Sequence, residues 1–251
     1  MKKFLIIIAC IVVVISIAIG GYFLWSNLMP DEITYNPSGE VEVPEKGLSE
    51  LAIVNTVTIK ENASGANRII DVKYPIIQSF KNKDFQNYVN SNITSVILAY
   101  KDEIMAIIDE ETPQTALYTY KTSYEKFAHG DYLSLVIAND YQTGGIRSNV
   151  WKDIYNINVR TERIFYLSDL FSSTVDYERE ILREIKLQSD AQNYELMNGA
   201  GLNELDEKQK FFIKDDKLII YFDPSEIAPT SYGELQFVMP FTLGEDGLFN
   251  P

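Results

Sequence analysis

The chain has 251 residues, of which 46% are hydrophobic and 12% aromatic, so a wholly disordered chain is excluded and a substantial core is possible. Its single Cys excludes an intrachain disulfide framework and a Cys-rich zinc site. Its 36 acidic and 22 basic residues give a formal net charge of −14, which argues against nucleic acid as a partner, because phosphate binding needs clustered Lys and Arg.

The first segment predicts a membrane anchor. Lys2 and Lys3 precede an apolar run from Phe4 to Trp25. A helix of that length reaches about 30 Å, which is enough to cross a bilayer. The positive-inside rule then leaves residues 1–3 in the cytoplasm and places the chain after Ser26 outside. We therefore expect a single-pass protein of a bacterial cell membrane with its C-terminal part outside.

Two alternatives to an uncleaved anchor at residues 4–25 stay open. A signal peptide could be cut after Gly20, but such peptides have shorter apolar regions, and Tyr22 to Trp25 continues this one past the cut. A lipoprotein would use Cys10, but the apolar run before Cys10 is short. In an uncleaved anchor, Cys10 is a membrane-buried residue.

Residues 26–50 predict an extracellular spacer, because they contain Pro30, Pro37 and Pro44 and no apolar period. The part after residue 3 is acidic, since it contains 36 Asp and Glu but only 20 Lys and Arg. Such a surface attracts cationic proteins or metal ions. The alternative is that the charge only serves solubility.

From residue 51 onward the hydrophobic pattern becomes periodic. Two strands are predicted over 54–60 and 68–74, with Pro75 ending the regular pairing of the second. A long amphipathic helix follows from about Asn82 to Ile108, because its apolar residues recur at spacings of three and four.

After this helix come further strands, a second helix and a final set of strands. Strands are predicted at 117–127, 132–138 and 151–160, a helix from Asp176 to about Gln188, a β-hairpin at 211–222 and a strand at 233–241. Short β–β connections predict an α+β fold with a largely antiparallel sheet, packed with one long and one shorter helix.

No residue pattern selects a catalytic, metal or cofactor site, and we expect none. His129, the only histidine, lies in a predicted turn without a nucleophile motif nearby. Gly144 and Gly145 lack the spacing of a phosphate loop, so a hairpin turn is favoured. Glycosidase chemistry needs one particular pair of Asp or Glu side chains. This chain contains many acids, but nothing in the sequence selects a pair.

Tyrosines carry the signal for binding. Tyr118, Tyr120 and Tyr124 share one predicted strand face, where packing within the sheet is the alternative to binding. Tyr221 and Tyr232 flank an acidic, Pro-containing segment in which side chains could instead cap backbone N–H groups. The candidate ligand-binding or signature residues are Tyr221, Asp223, Pro224, Glu226, Tyr232, Gly144 and Gly145.

The run Tyr221-Phe222-Asp223-Pro224-Ser225-Glu226-Ile227-Ala228-Pro229, followed by Gly233 and by Phe237-Val238-Met239-Pro240-Phe241, resembles the C-terminal signature of the RsiV-like (DUF3298-type) domain. Ile70-Asp71-Val72-Lys73-Tyr74-Pro75 and the helix after it are similar to the PdaC-like (DUF4163-type) N-terminal half. Thr143-Gly144-Gly145 and Leu167-Ser168-Asp169-Leu170-Phe171 match two further family segments. The resemblance spans residues 66–241 and divides the outer part into halves 51–165 and 166–251.

This resemblance implies a non-catalytic α+β ectodomain. The family occurs in membrane-anchored bacterial anti-sigma factors, where it is a receptor for lysozyme, and in PdaC-type peptidoglycan deacetylases. The usual Gly-Gly-Ala-His turn is here Gly144-Gly145-Ile146-Arg147, so any contact made by that His is lost. We also expect the shared module alone on its tether, without an anti-sigma or deacetylase domain.

The first hypothesis from the sequence is therefore a membrane-tethered module that binds lysozyme or another cationic wall-active protein. The second is a cell-wall accessory protein that recognises peptidoglycan. The third is an unrecognised hydrolase.

Overall fold

The structure is a computed structural model that describes residues 48–49, 52–62, 68–110, 117–143, 147–197, 204–244 and 248–251. The predicted anchor, all but two residues of the predicted spacer, and Gly144 and Gly145 lie outside the described residues. The predictions for them stay predictions. Within the described ranges, no helix combines the length and the apolar character that crossing a bilayer requires.

The first half of the described chain forms a six-stranded sheet with its strands in chain order. They are β1 (Val54–Asn62), β2 (Arg68–Ile77), β3 (Tyr118–His129), β4 (Tyr132–Thr143), β5 (Arg147–Asn158) and β6 (Arg163–Ile164). Neighbouring strands are antiparallel except β2 and β3, which are parallel and are connected through a helix. The largely antiparallel α+β architecture is therefore confirmed.

The connecting helix, α1 (Lys83–Glu110), covers one face of this sheet. It begins where Asn82 Oδ1 accepts a hydrogen bond from Phe85 N at 3.0 Å, as its predicted start requires. The buried face of α1 includes Ile93 and Ile97, and Tyr118 and Tyr120 of β3 lie in the same core. Packing in the core is therefore the structural role of these two tyrosines.

Pro75 lies inside β2, so the prediction that it ends the strand's pairing is wrong. It stands opposite Thr56 of β1. Gln78 N donates to Ile53 O, so by alternation the nitrogen of Pro75 points away from β1. On that side, the paired register of β2 with β3 ends at Asp71. The missing N–H therefore removes no ladder hydrogen bond.

The second half builds a smaller sheet and one helix. The sheet consists of β7 (Phe211–Lys214), β8 (Lys217–Phe222) and β9 (Leu235–Val238); α2 (Tyr177–Gln192) precedes it, and β10 (Thr242–Leu243) and β11 (Phe249–Asn250) follow. The predicted hairpin is confirmed, and its two turn residues, Asp215 and Asp216, have φ values of 49° and 64°. Helix α2 starts at the predicted place, with Asp176 as its N-cap, but it continues beyond Gln188 to Gln192.

One face of the small sheet packs on α2 and forms a second core. This core contains Ile181 and Ile185 of α2 and Leu218, Ile220 and Phe237 of the sheet. The opposite face contributes Phe212, Ile219 and Tyr221 to a third cluster, which also contains Val136 of β4. The small sheet therefore contacts both its own helix and the large sheet.

The small sheet meets the large one edge-on. Ser134 of β4 and Asn156 of β5 are buried on the large sheet, and Ser134 Oγ donates to Asn156 Oδ1 at 2.7 Å. Asn156 Nδ2 donates to Phe211 O at 2.8 Å, and Ile213 N donates to Ser134 Oγ at 3.1 Å. These backbone groups lie on the side of β7 that faces away from β8. Two side chains thus replace a missing neighbouring strand.

We expect Ser134→Ala to lower the free energy of unfolding by about 1–3 kcal/mol, because it leaves Ile213 N–H and Asn156 Oδ1 buried without this partner. Urea unfolding measures the change. Ser148→Ala is the matched control, since Ser148 is an exposed residue of the same sheet whose hydroxyl donates to Asp140. Equal effects of the two substitutions would contradict the structural role of Ser134.

Candidate functional site

The signature segment from the sequence lies at the junction between the two sheets. Tyr221, in β8, is completely buried, and its hydroxyl lies 3.1 Å from both Asp223 Oδ1 and Glu234 Oε2. Burial, followed by the charges of Asp223 and Glu234, raises the pKa of Tyr221. The hydroxyl therefore stays protonated and donates a hydrogen bond to one carboxylate at a time.

Two lysines balance these carboxylates. Lys152 Nζ lies 2.7 Å from Glu234 Oε1 and 4.9 Å from the centre of the Tyr221 ring. Lys210 Nζ lies 6.0 Å from the same ring centre and forms an ion pair with Asp223. The buried ring therefore contacts two cations, and its hydroxyl contacts two anions.

Asp223 also closes the free edge of the large sheet. Strand β6 pairs with β5 at Ile157 and Asn158, so among the described residues the preceding part of β5 has no strand on the side opposite β4. There, Lys152 N donates to Asp223 Oδ1 at 3.1 Å. Asp223 N in turn donates to Glu226 Oε2 at 2.7 Å, which is the capping role that the sequence suggested. Pro224 and Ser225 form the turn between Asp223 and Glu226, and Ser225 has a φ of 70°.

Tyr232 occupies a different place from Tyr221. It ends a short 3₁₀ turn (Thr230–Tyr232), and its hydroxyl accepts a hydrogen bond from Glu195 N at 3.4 Å. Its ring contacts Tyr194 with 5.3 Å between the ring centres. Its partners belong to the segment after α2 rather than to the junction, so the structure does not unite the two tyrosines in one site.

A half-buried carboxylate that the sequence analysis missed, Asp153, lies on the α1 side of the large sheet. Asp153 Oδ2 accepts a hydrogen bond from Asn139 Nδ2 at 2.8 Å, and Asn139 Oδ1 accepts one from Tyr120 at 2.9 Å. The Tyr100 hydroxyl lies 3.4 Å from Asp153 Oδ1. Burial is the main cause that raises the pKa of Asp153, and hydrogen bonds and Lys210 oppose it.

The sequence contained a signal for Asp153. The predicted strand at 151–160 places Trp151, Tyr155 and Ile157 on one face, and the alternation puts Asp153 among them. A carboxylate on an otherwise apolar strand face indicates a buried ionisable group that needs hydrogen-bond partners.

The arrangement at the junction is suited to holding two sheets together. Asp223, Glu234, Lys152 and Lys210 each have a partner of opposite charge inside the protein. Among the described residues, no group of three His, Cys, Asp or Glu side chains could hold a metal ion. His129 lies outside the junction, at the end of β3 opposite Tyr132.

An open groove adjoins the junction, with a volume of about 540 Å³. Its lining includes Phe127 of the large sheet and Phe212 of the small sheet, whose rings stack with 5.3 Å between their centres. Lys152 and Glu234 lie at this groove as an ion pair. The apolar contact between the two sheets therefore reaches the surface here.

Comparison with a protein-family model places the signature in context. Residues 168–242 match the family described as "Protein of unknown function (DUF3298)". We refer to this matching segment as the DUF3298-type domain, after the family model that it matches. It contains α2, the small sheet and the whole run from Tyr221 to Pro229. The DUF4163-type N-terminal half stays a prediction.

Two curated proteins of Bacillus subtilis are similar to more of the chain. Anti-sigma-V factor RsiV is 26% identical over 198 residues, which is 74% of this chain and 67% of that protein. Peptidoglycan-N-acetylmuramic acid deacetylase PdaC is 21% identical over 181 residues, which is 70% of this chain but only 38% of the deacetylase. The similarity thus covers well under two thirds of the deacetylase.

Two solved structures share the fold. A DUF3298-family protein from Pseudomonas aeruginosa PAO1 has a TM-score of 0.54 at 13% identity, covering 82% of this chain and 97% of that one. A DUF3298-family member from Bacteroides fragilis NCTC 9343 has a TM-score of 0.53 at 14% identity, covering 75% and 90%. At these identities the likeness shows the fold alone.

The Asp153 carboxyl predicts a pH dependence of stability. Its pKa is higher in the folded protein than in the unfolded chain, where it is about 4, so its stabilising contribution is present below about pH 4 and is lost as the pH rises through the folded pKa. We expect Asp153→Asn to avoid that loss. The gain in free energy of unfolding over the parent should therefore be larger at neutral pH than near pH 4.

Urea unfolding at the two pH values measures this difference. Asp102→Asn is the control, because the Asp102 side chain is 77% exposed on α1. A gain for Asp153→Asn that shrinks toward neutral pH would contradict the raised pKa.

Proposed function

We propose that the chain is a membrane-anchored, extracytoplasmic and non-catalytic binding module, and that its partner is a cationic protein, with lysozyme as the first candidate. The similarity to an anti-sigma factor over 74% of the chain supports a module of this family. The apolar run at residues 4–25, which follows Lys2 and Lys3, supports the anchor. The resemblance to lysozyme-receptor domains supplies the candidate partner.

The observation that carries this proposal is the charge of the DUF3298-type domain. Residues 168–242 contain fifteen Asp and Glu but seven Lys and Arg. The acidic side chains at the junction form ion pairs with lysines of the protein. Those of α2 and of the 204–208 loop are mostly exposed. A surface of this kind accelerates encounter with a basic protein and repels anionic wall polymers.

The absence of catalysis is likewise a proposal, supported by the junction. Its two carboxylates and two lysines are paired with one another around the buried Tyr221 ring. Groups engaged in this way stabilise the fold, and a reacting substrate would have to displace those partners.

Recognition of peptidoglycan is the second candidate function. It is favoured by the similarity to a peptidoglycan deacetylase over 70% of this chain. The acidic surface opposes it, because anionic wall polymers would be repelled.

Binding of chicken egg-white lysozyme to the full chain in detergent micelles tests the proposal. We expect saturable binding that weakens as the salt concentration rises from about 50 mM to about 500 mM, because opposite charges are screened. Lysozyme with acetylated lysines is the matched control, since it keeps its shape and loses much of its charge. Calorimetry measures both.

The outcomes separate the candidates. No binding of native lysozyme at low salt would contradict the lysozyme proposal. Cosedimentation with purified wall sacculi, without lysozyme binding, would favour peptidoglycan recognition instead. Turnover of a wall polymer by the purified chain would contradict the non-catalytic role.

A further inference from the structure

A second groove opens at the start of α2, between the DUF3298-type domain and the two residues before it, with a volume of about 410 Å³. We call it the tyrosine groove. Tyrosines, a leucine and three carboxylates dominate its lining: Tyr166, Tyr177, Leu205, Glu178, Asp206 and Glu207. It combines aromatic area with negative charge, which is the composition of a site for a cationic side chain.

The aromatic walls are held in place by the fold. The Tyr177 ring stacks on the buried Phe171 ring, with 4.9 Å between centres and 6° between planes. Tyr166 N donates to Asp169 Oδ2 at 2.8 Å, which fixes the backbone of Tyr166. The Tyr166 residue is nevertheless 55% exposed. A large aromatic side chain is therefore presented to solvent on a fixed backbone, as in protein-binding hot spots.

The opposite wall is fixed through the junction. Asp206 Oδ1 accepts a hydrogen bond from Lys208 N at 2.7 Å, and Asp206 O accepts one from Gln209 N at 2.9 Å. The buried Gln209 side chain donates to Tyr221 O at 2.9 Å. The loop that carries Asp206 and Glu207 is therefore tied to the buried network around Tyr221.

The acids of the groove differ from the other acids of α2. Glu180 forms ion pairs with Arg179 at 3.2 Å and Arg183 at 2.9 Å, and Asp190 forms one with Lys186 at 3.1 Å. In the described part of the chain, none of Glu178, Asp206 and Glu207 forms an ion pair, although Lys208 also lines the groove. The lining of the groove therefore carries three carboxylates and one lysine, so its net charge is negative.

We propose that the tyrosine groove is the docking site for an exposed arginine side chain of a cationic partner protein, an inference that rests on the proposed function. The planar guanidinium stacks on a tyrosine ring and donates paired hydrogen bonds to a carboxylate. Burial, followed by the charge of Glu178, raises the pKa of Tyr177, so its hydroxyl stays a donor to Glu178.

The test compares two triple variants of the full chain in detergent micelles. The groove variant is Glu178→Gln, Asp206→Asn and Glu207→Gln, which keeps the shapes and the hydrogen-bond acceptor of Asp206. The control variant is Asp102→Asn, Glu103→Gln and Glu125→Gln, which removes the same charge from exposed positions outside the groove. We expect the groove variant to weaken chicken lysozyme binding about tenfold and the control variant less than about threefold.

Tyr166→Ala should weaken binding as well without changing the charge. Equal weakening by the two triple variants would overturn the groove and leave only long-range attraction. If the parent chain does not bind lysozyme, the lysozyme proposal fails, and a hexa-arginine peptide then decides the groove separately. Peptide binding that is weakened by the groove variant and kept by the control variant supports the groove, and an equal effect of both overturns it.

Discussion

The backbone of strand β7 imposes the constraint on which the described fold depends. Its N–H and C=O groups on the side away from β8 enter a buried interface, where no strand of the described chain pairs with them. Unpaired buried backbone groups are costly, so the large sheet has to supply partners. Ser134 and Asn156 supply them from the face of β4 and β5. At Lys152 the roles of the two sheets are reversed. Its N–H, at the edge of the large sheet, donates a hydrogen bond to Asp223 from the small sheet.

This constraint explains the signature segment physically. Tyr221 is buried between the sheets, Asp223 joins the small sheet to β5, and Glu226 caps the turn. In this chain the segment therefore holds the two sheets together. It does not by itself carry a partner, because a surface ligand would reach Tyr221 only by opening the junction. The proposed binding therefore has to use exposed surfaces, such as the tyrosine groove.

Local patterns predicted the elements well. The spacing of apolar residues predicted α1 and its start at Asn82, and the Asp215-Asp216 pair predicted the turn of the hairpin. The error at Pro75 arose because a single strand does not reveal which of its sides lacks a neighbour. The α+β class followed from the order of these elements.

The junction could not be predicted in the same way. Ser134 and Ile213 are 79 residues apart, and nothing in either local pattern relates them. The sequence could suggest that Asp223 and Glu226 cap backbone groups, but not that Asp223 caps β5 of the other sheet. The groove at the start of α2 is similarly built from segments that only the fold brings together.

Hydrogen exchange of the Ile213 amide under native conditions tests the central claim most directly. This N–H has Ser134 Oγ as its partner instead of a neighbouring strand. If the edge-on junction is integral to the fold, Ile213 should exchange only through global unfolding, with a free energy within about 1 kcal/mol of that for Leu135 in the central strand β4. Exchange of Ile213 through a much smaller opening, while Leu135 stays protected, would contradict the account.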